Sequence, residues 1–413
     1  MTNSNKPIVI IGAGHAGGRL ALALRQEGYE GALTLIGEEV FSPYERPPLS
    51  KQLLLGQAGA EDCYLDGNVD YAGLGIELKL GTRVTGLDPK SHSIRFSDAT
   101  RLDYDKLVLA TGGRARQVAL PGIELDGIHV LRTLTDAARL SSALAGRPRL
   151  VVIGGGFIGL EVAASARTLG CDVCVLEASV RLAERVLPPQ LSERLLSLHR
   201  ARGVEVLLGS RIEAIEGQGT VEAVRLQDGS RIPCDLVLVG VGIEPNIELA
   251  QLAGLDMGNG IRVNDRLQTS AADIYAIGDV CEFPCPQSQQ QVRHETWRNA
   301  EAQAHLVARN LLGRDEAYQA RLWFWSDQFD CGLQMAGDGA LGARRVQRDL
   351  PDNALLLFDL DADNRLVAVS GFARGNAIAR DIKLGERLID SGKCLDPEAL
   401  SNPAISLKAL LKA

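Results

Sequence analysis

Short apolar runs that end at glycine dominate the hydrophobic pattern of the chain. The first, KPIVIIG (6–12), is typical of a buried strand, and the residues after it place leucine and alanine at three-to-four spacing, which predicts a helix. A second apolar strand, LTLIGEE, follows. The order of strand, glycine turn, helix and strand predicts a βαβ unit of about thirty residues at the start of the chain.

The same order occurs a second time, from RLVVIGGG (149–156) through FIGLEVAASARTLG to CDVCVLE. After each copy come shorter strands, and both series end in an apolar strand that closes on glycine, YDKLVLATGG and CDLVLVGVG. We therefore expect two tandem copies of one Rossmann-like architecture, each with a parallel sheet.

The hydrophobic pattern changes in the last third of the chain. DIYAIGDV predicts one more buried strand, and VRHETWRNAEAQAHLVARNLLG predicts a long helix. From about residue 320, runs such as WFWSDQFDCGLQMAG alternate strands with turn signals before a helical end. The predicted fold class is α/β, with two Rossmann-like domains followed by a C-terminal α+β domain.

Both glycine turns have the GxGxxG spacing of a dinucleotide site. The first glycine permits the tight turn out of the strand, the second lets the backbone approach a pyrophosphate, and the third allows close helix packing. An acid at the end of the next strand would bind a ribose hydroxyl. These positions are Gly12, Gly14, Gly17 and Glu38 in the first copy and Gly154, Gly156, Gly159 and Glu177 in the second. Two complete fingerprints suggest a flavin beside a nicotinamide.

Bulk composition narrows the class of protein. The 413 residues are 46% hydrophobic and 23% charged, and no apolar run reaches the roughly 18 residues that a membrane span needs. The net charge of −8 disfavours nucleic acid as the main partner. The start, MTNSNKPIVIIG, lacks the pattern of a secretory signal, so we expect a cytoplasmic protein.

Eight cysteines are scattered along the chain without the paired clusters of a zinc site. Cys171 and Cys174 form a CxxC, but they flank a predicted strand. A redox pair favours a helix N-terminus, which lowers the pKa of a thiol. We therefore interpret the pair as structural and expect no metal.

Several motifs occur in order over nearly the whole chain: GAGHAGGRLALALR, PYERPPLSK, YDKLVLATGGRARQ, VVIGGGFIGLEVA, IYAIGDV, HETWRNA and WFWSDQFD. In this order they resemble the FAD-dependent ferredoxin reductases of oxygenase systems, the putidaredoxin reductase and biphenyl dioxygenase reductase type, within the two-dinucleotide-binding flavoprotein superfamily. The resemblance implies an FAD-binding domain in two parts (1–113 and 245–319), an NADH-binding domain (114–244) and a C-terminal domain (320–413).

The resemblance also implies which residues act. Lys51, in the stiff segment RPPLSK, would point its ammonium at the flavin and pair with Glu161 across two domains, which stabilises negative charge on the reduced ring. These two are the expected catalytic residues. The other residues expected to bind the cofactors are His15, Ala16, Arg46, Val84, Ala110, Thr111, Gly112, Arg132, Gly278, Asp279, Glu295, Thr296, Trp297, Phe157, Ile158, Arg185 and Gly242.

The cysteines of related branches are missing here. The disulfide reductases of this superfamily carry CxxxxC beneath the flavin, and the peroxidase and oxidase branches carry one cysteine near the position of Tyr44, Glu45 and Arg46. With no thiol to relay electrons, we expect hydride from NADH to reach FAD and electrons to leave singly to a 2Fe-2S ferredoxin. That ferredoxin would serve a cytochrome P450 monooxygenase or a ring-hydroxylating dioxygenase.

The nicotinamide and docking preferences are further expectations. Glu177 favours NADH because its carboxylate repels a 2′-phosphate, although Arg181 and Arg185 could soften that repulsion. Since ferredoxins are typically acidic, docking needs a local basic face. Candidates are the run with Arg344, Arg345 and Arg348 and the helix with Arg298 and Arg309.

Three alternatives stay open from the sequence alone. A rubredoxin reductase or an NADH oxidase-like enzyme would share both nucleotide sites and differ in the electron acceptor. An apoptosis-inducing-factor-like flavoprotein would share the RPPLSK and GGGFIGLE features and act through an NADH-dependent conformational change.

Overall fold

The computed structural model describes residues 7–67 and 69–412, which group into two compact units. The described residues of the first unit are 7–46, 61–67, 69–114 and 244–322. Those of the second unit are 47–60, 115–243 and 323–412. Within the described residues, no helix is both long and apolar enough to cross a bilayer.

A five-stranded parallel sheet forms the centre of the first unit. Its strands, in spatial order, are Ile274–Ala276, Lys106–Leu109, Ile8–Ile11, Leu33–Ile36 and Ile76–Lys79. The strand Ile8–Ile11 is buried along its whole length because helices cover the sheet, which explains its uninterrupted apolar run. Helices His15–Gln26 and Trp297–Leu311 pack against each other.

Smaller elements complete the first unit. They are the antiparallel strands Val84–Asp88, Ser93–Phe96 and Arg101–Asp103, the three-stranded group Ile261–Arg262, Cys281–Pro284 and Gln291–Val292, the helix Glu248–Leu252, and the 3-10 turns Glu61–Cys63 and Gly278–Val280.

The second unit repeats the parallel design. Its sheet has the order Glu205–Leu208, Asp172–Glu177, Arg149–Ile153, Leu236–Val239 and Ile128–His129. The accompanying elements are the helices Leu134–Leu144, Phe157–Thr168 and Pro189–Ala201, the antiparallel strands Ile212–Gln218, Thr220–Leu226 and Arg231–Pro233, and the 3-10 turn Pro47–Ser50. The short strands Gly113–Ala115 and Ile243–Pro245 lie where the chain passes between the units.

An antiparallel sheet near the C-terminus also belongs to the second unit. Its order is Trp323–Gln328, Cys331–Gly337, Leu366–Arg374, Leu355–Leu360 and Arg344–Asp349. Alternation along the strands gives it two apolar faces. Leu333 and Leu357 pack into the same cluster as Leu160, whereas Phe358 and Val369 pack with helix Ala379–Ser391. The last elements are the 3-10 turn Gly339–Leu341 and the helices Pro397–Ser401 and Leu407–Lys412.

The predicted fold class is confirmed, with two parallel sheets and an antiparallel C-terminal sheet. The predicted long helix begins only at Trp297, where the side chain of Thr296 accepts a hydrogen bond from the backbone N–H of Asn299 and caps the helix.

Candidate active site

The first glycine turn leaves open space at a helix N-terminus. Gly12 has φ of 113°, a conformation that favours glycine, and its N–H donates to Ile36 O at 2.8 Å. Gly14 caps helix His15–Gln26 without a side-chain hydrogen bond, and an added Cβ there would have only Arg46 Nη2 near it, at 3.8 Å. The close packing expected at Gly17 is present, because a Cβ there would lie 1.9 Å from Gly12 O. This geometry fits a diphosphate.

Other predicted residues follow strands that end at the same edge of the sheet. Ala110, Thr111 and Gly112 come after strand Lys106–Leu109, and Thr111 Oγ1 donates to Asn246 O at 2.7 Å. Gly278 and Asp279 follow strand Ile274–Ala276, where Gly278 N–H donates to the buried Gln303 Oε1 at 2.7 Å. Carboxyl ends of parallel strands are the usual place for a nucleotide, so these loops and the glycine turn form one candidate site.

The ring of His15 contacts Glu301, which the sequence did not point to, and Trp297, which was predicted. Its Nε2 lies 2.7 Å from Glu301 Oε1, and Arg19 Nε donates to the same oxygen at 2.7 Å. Burial opposes the charge of Glu301, but the hydrogen bonds from His15 and Arg19 prevail and lower its pKa. Trp297 packs edge-on against His15 at 5.3 Å between ring centroids. Ala16, the next helical residue, is buried.

The acid after the second strand differs between the two units. Ile36 pairs with Ile11, the residue before Gly12, and Leu176 pairs with Ile153, the residue before Gly154. By this register Gly37, and not Glu38, is the equivalent of Glu177. Glu38 is 70% exposed and pairs with Arg83 at 3.3 Å. Its ribose role stays a prediction.

The neighbouring Glu39 organises the residues before the double proline. It accepts hydrogen bonds from Tyr44 Oη at 2.6 Å and from Arg46 Nη2 at 3.1 Å. Arg46 is thereby held beside the glycine turn. Val84, which begins its strand, is buried.

The second glycine turn repeats the first and adds a bound carboxylate. Gly154 has φ of 108°, and Gly156 caps helix Phe157–Thr168 with nothing within 4 Å of an added Cβ. Gly159 packs as Gly17 does, with a Cβ position 2.2 Å from Gly154 O. Glu177 ends its strand and accepts the backbone N–H groups of Gly155 and Ser179, each at 2.7 Å. The carboxylate is therefore fixed at the edge of the turn.

Two arginines near this turn differ in availability. Arg181 donates to Leu187 O at 2.6 Å and to Glu184 O at 3.0 Å. These bonds fix the position of its guanidinium, and the suggestion that Arg181 offsets a phosphate charge stays a prediction. Arg185 is exposed, and its Nη2 lies 3.9 Å from the Cβ position of Gly242.

The remaining predicted residues have these positions. Ile158 is 47% exposed, whereas the ring of Phe157 packs on Phe324 with centroids 4.9 Å apart. The backbone N–H of Arg132 donates to Asp136 Oδ2 at 3.1 Å. Glu295 pairs with Arg293 at 2.5 Å, in the first unit.

Lys51 and Glu161 form the expected ion pair, with Nζ and Oε2 3.0 Å apart. The side chains are only 13% and 4% exposed. Both residues lie in the second compact unit, whereas the predicted domain boundaries put Lys51 in 1–113 and Glu161 in 114–244, so a contact between two domains stays a prediction. Segment 47–60 belongs there since Leu54 is buried in the same apolar cluster as Leu160. The catalytic role of the pair stays a prediction.

Two serines complete the surroundings of Glu161. Ser50 Oγ donates to Oε2 at 2.5 Å, and Ser326 Oγ, from the C-terminal sheet, donates to Oε1 at 2.6 Å. Sequence reasoning missed both, although Ser50 stands beside Lys51 in the motif.

All eight cysteines, which are all among the described residues, are free thiols. Burial raises the pKa of Cys171, and it raises the pKa of Cys174 to about 12, so neither is a ready thiolate. No group of His, Cys, Asp and Glu side chains in the described part of the chain has the arrangement of a metal site.

Two of the three arginines in the predicted basic docking run have partners within the chain. Arg348 points inward beside Val346, is 4% exposed, and donates to Leu400 O at 2.6 Å. Arg345 pairs with Asp359, its cross-strand neighbour, at 2.7 Å. On the other candidate helix, Arg309 pairs with Glu316 at 2.7 Å. The strand alternation and these pairs leave only Arg344 of the run exposed with no ion pair among the described residues.

Comparisons with known proteins agree over the whole chain. The pyridine nucleotide-disulphide oxidoreductase family matches residues 6–304, and the reductase C-terminal family matches residues 323–411. The chain is 41% identical to the ferredoxin–NAD(+) reductase component of the anthranilate 1,2-dioxygenase system of Burkholderia cepacia, over 99% of this chain and all of that protein. It is 38% identical to putidaredoxin reductase of Pseudomonas putida, over 100% and 98% of the two chains.

Solved structures give the same result. The ferredoxin reductase for the CYP199A2 system from Rhodopseudomonas palustris superposes with a TM-score of 0.94 at 35% identity, covering 98% of this chain and 100% of that one. The covalent putidaredoxin reductase–putidaredoxin complex gives a TM-score of 0.94 at 38% identity and 99% coverage of both chains.

Proposed function

The chain belongs to the pyridine nucleotide-disulphide oxidoreductase family, and from this premise we propose that it is an NADH-dependent ferredoxin reductase. It takes hydride from NADH onto FAD and passes electrons singly to a 2Fe-2S ferredoxin that serves a P450 monooxygenase or a ring-hydroxylating dioxygenase. The observation that carries the proposal is the combination of two open glycine turns with a buried Lys51–Glu161 pair. The names of the relatives, reductase components that act on ferredoxin and NAD(+), support it.

The first unit is the proposed FAD site. The N-terminus of helix His15–Gln26 and the guanidinium of Arg46 would hold the diphosphate, and the loops at 110–112 and 278–279 would line the cofactor. FAD supplies the chemistry that a side chain cannot, since it accepts two electrons as hydride and releases them one at a time. Residues of the chain contribute binding, orientation and charge.

The second unit is the proposed NADH site. The open N-terminus at Gly156 would take the diphosphate, and Glu177 would accept hydrogen bonds from the ribose. Glu177 already accepts two backbone N–H groups at 2.7 Å, so its carboxylate is held in place before the nucleotide arrives. A 2′-phosphate would meet this charge, which supports NADH over NADPH.

Lys51 is the proposed electrostatic residue. A cation that is 13% exposed and fixed by Glu161 and by Pro47 O (3.2 Å) offers a fixed positive charge with little reorganisation. Its role is to stabilise negative charge on the reduced cofactor and not to form a covalent bond. A cytoplasmic location is also proposed, because all eight cysteines are unpaired.

The domain division stays part of the proposal, with FAD bound by 1–113 and 245–319, NADH by 114–244, and a C-terminal domain at 320–413. The two glycine turns, at 12–17 and 154–159, lie in different compact units, which supports separate nucleotide sites.

Reconstitution with a panel of 2Fe-2S ferredoxins tests the function. Purified protein should carry a flavin absorption spectrum, oxidise NADH, and reduce at least one ferredoxin much faster than it reduces oxygen. Rapid NADH oxidation with oxygen alone would instead favour an oxidase. A long-lived complex with reduced nucleotide and poor turnover would favour the apoptosis-inducing-factor-like alternative.

A further inference from the structure

A line of buried polar side chains reaches Glu161 from the C-terminal sheet. Ser326, Gln328 and His199 are 1%, 2% and 0% exposed. Ser326 Oγ lies 2.6 Å from Glu161 Oε1, Gln328 Nε2 lies 3.0 Å from Ser326 Oγ, and His199 Nε2 lies 2.7 Å from Gln328 Oε1. All belong to the second unit. Three segments distant in sequence therefore form one connected chain of hydrogen bonds.

The strand geometry explains two of the contacts. Ser326 and Gln328 are separated by two positions in strand Trp323–Gln328, so both side chains lie on the same face of the sheet. His199 comes from the last turn of helix Pro189–Ala201. The sheet and this helix are thus coupled to the buried carboxylate.

The direction of every hydrogen bond follows from the charge of Glu161. A serine hydroxyl has one hydrogen, and if it is donated to the carboxylate the serine oxygen must accept from Gln328. Gln328 must then present its NH2 to Ser326 and its oxygen to His199. His199 in turn donates from Nε2, which requires the Nε2–H tautomer.

The other ring nitrogen of His199 agrees with this assignment. Nδ1 is buried and has no hydrogen-bond partner among the described residues. A second proton there would be an unpaired buried charge. Burial also lowers the pKa of His199, and only the contact with Gln328 acts the other way. The imidazole is neutral, and each of the three side chains donates its hydrogen bond in the direction of the Glu161 carboxylate.

We propose that Ser326, Gln328 and His199 are positioning residues that hold the Glu161 carboxylate in its orientation, so that the C-terminal sheet fixes the place of the Lys51 ammonium. This inference rests on the proposed function, because it assigns Lys51 to the reduced flavin. Glu161 Oε1 is taken up by Ser326 and Oε2 is shared by Ser50 and Lys51. Loss of the Ser326 bond frees the carboxylate to rotate and loosens the Lys51 contact.

The test compares Ser326→Ala with a matched serine. Ser370 is also 1% exposed, lies in the same sheet, and its Oγ has no hydrogen-bond partner among the described residues. Ser326→Ala should slow flavin reduction by NADH in stopped flow by about ten-fold or more, because a hydrogen bond to a buried charge is lost. Ser370→Ala should leave the rate within about two-fold, and Ser326→Thr, which keeps the hydroxyl, should recover most of it.

Introducing Ser326→Ala into a Lys51→Ala variant separates the positioning of Lys51 from general damage to the fold. Ser326→Ala should have little further effect there, since the group that it positions is gone. Equal slowing with and without Lys51, or equal slowing by Ser370→Ala, would overturn the proposal. If Ser326→Ala does not fold, Gln328→Met removes the next donor at similar size, and the same comparisons apply.

A second readout needs no turnover. In protein labelled with ¹⁵N-histidine, His199 should give the neutral Nε2–H signature at about pH 7, and its shift should move in Gln328→Met but not in Ser370→Ala. A protonated or Nδ1–H imidazole would contradict the proposed direction of the chain. If wild-type protein is not reduced by NADH, the proposed function fails. If wild-type is reduced and Ser326→Ala matches it, only the positioning role fails.

Discussion

Replacing Glu161 with glutamine isolates the charge of the buried ion pair. The substitution keeps the shape of the side chain but leaves the Lys51 ammonium, 13% exposed, without its counter-charge. Removal of one partner from a buried pair typically costs about 3–5 kcal/mol of unfolding free energy. Because Lys51 Nζ keeps its contact with Pro47 O at 3.2 Å, we expect a loss near the lower end, about 3 kcal/mol.

The assay is urea unfolding followed by tryptophan fluorescence, to which Trp323 and Trp325 of the second unit contribute. Asp103→Asn, in an ion pair whose side chains are 56% and 75% exposed, is the control and should change stability by less than about 0.5 kcal/mol. The double variant Lys51→Met with Glu161→Gln should be more stable than Glu161→Gln alone, because no unpaired charge remains. A double variant as unstable as the sum of its singles, or a Glu161→Gln protein as stable as the control, would refute this reasoning.

Three further results are expected. Glu177→Gln should lower kcat/KM for NADH by roughly ten-fold or more and narrow the preference over NADPH, because the ribose loses a charged acceptor; an unchanged ratio of the two kcat/KM values would place the ribose elsewhere. Gly156→Ala should fold, since its added Cβ meets nothing within 4 Å, but it should weaken NADH binding measured by fluorescence quenching. Gly154→Ala should fail to fold, because the φ of Gly154 is 108° and the added Cβ would lie 2.5 Å from Gly240 O. Hydrogen bonds from the Arg149 side chain and backbone lower the pKa of Asp235 to about 2. The ionised carboxylate therefore stabilises the fold above its unfolded pKa of about 4, and this contribution is lost as the pH falls toward 2. Asp235→Asn should be less stable than wild-type protein at pH 6 and should approach its stability near pH 2; a difference in stability that is the same at both pH values would contradict the assignment.

Local signals in the sequence were enough to predict the framework of both glycine turns. Strand Ile8–Ile11, the Gly12 turn and the following helix are adjacent in the chain, so apolar spacing and glycine positions predict them directly. The Lys51–Glu161 pair could be predicted only through the family resemblance, because 110 positions separate its members and periodicity carries no information about such a contact.

Contacts between distant side chains set the limit of sequence reasoning. Ser326 and His199 approach Glu161 only because a sheet strand and a helix pack on the same core. The sequence predicts Arg348 as part of a basic docking face, but strand alternation turns its side chain inward beside Val346. Spacing predicts Glu38 as the ribose acid, whereas the strand registers make Gly37 the equivalent of Glu177.

Electron counting in a single anaerobic turnover tests the central claim most directly. Protein reconstituted with FAD is mixed with one equivalent of NADH and then with excess oxidised 2Fe-2S ferredoxin, while flavin and ferredoxin absorbance are followed. The account predicts that NADH bleaches the flavin and that two ferredoxin molecules are reduced per NADH as the flavin colour returns. A flavin that stays oxidised with NADH, or a reduced flavin that leaves every ferredoxin in the panel oxidised, would contradict it.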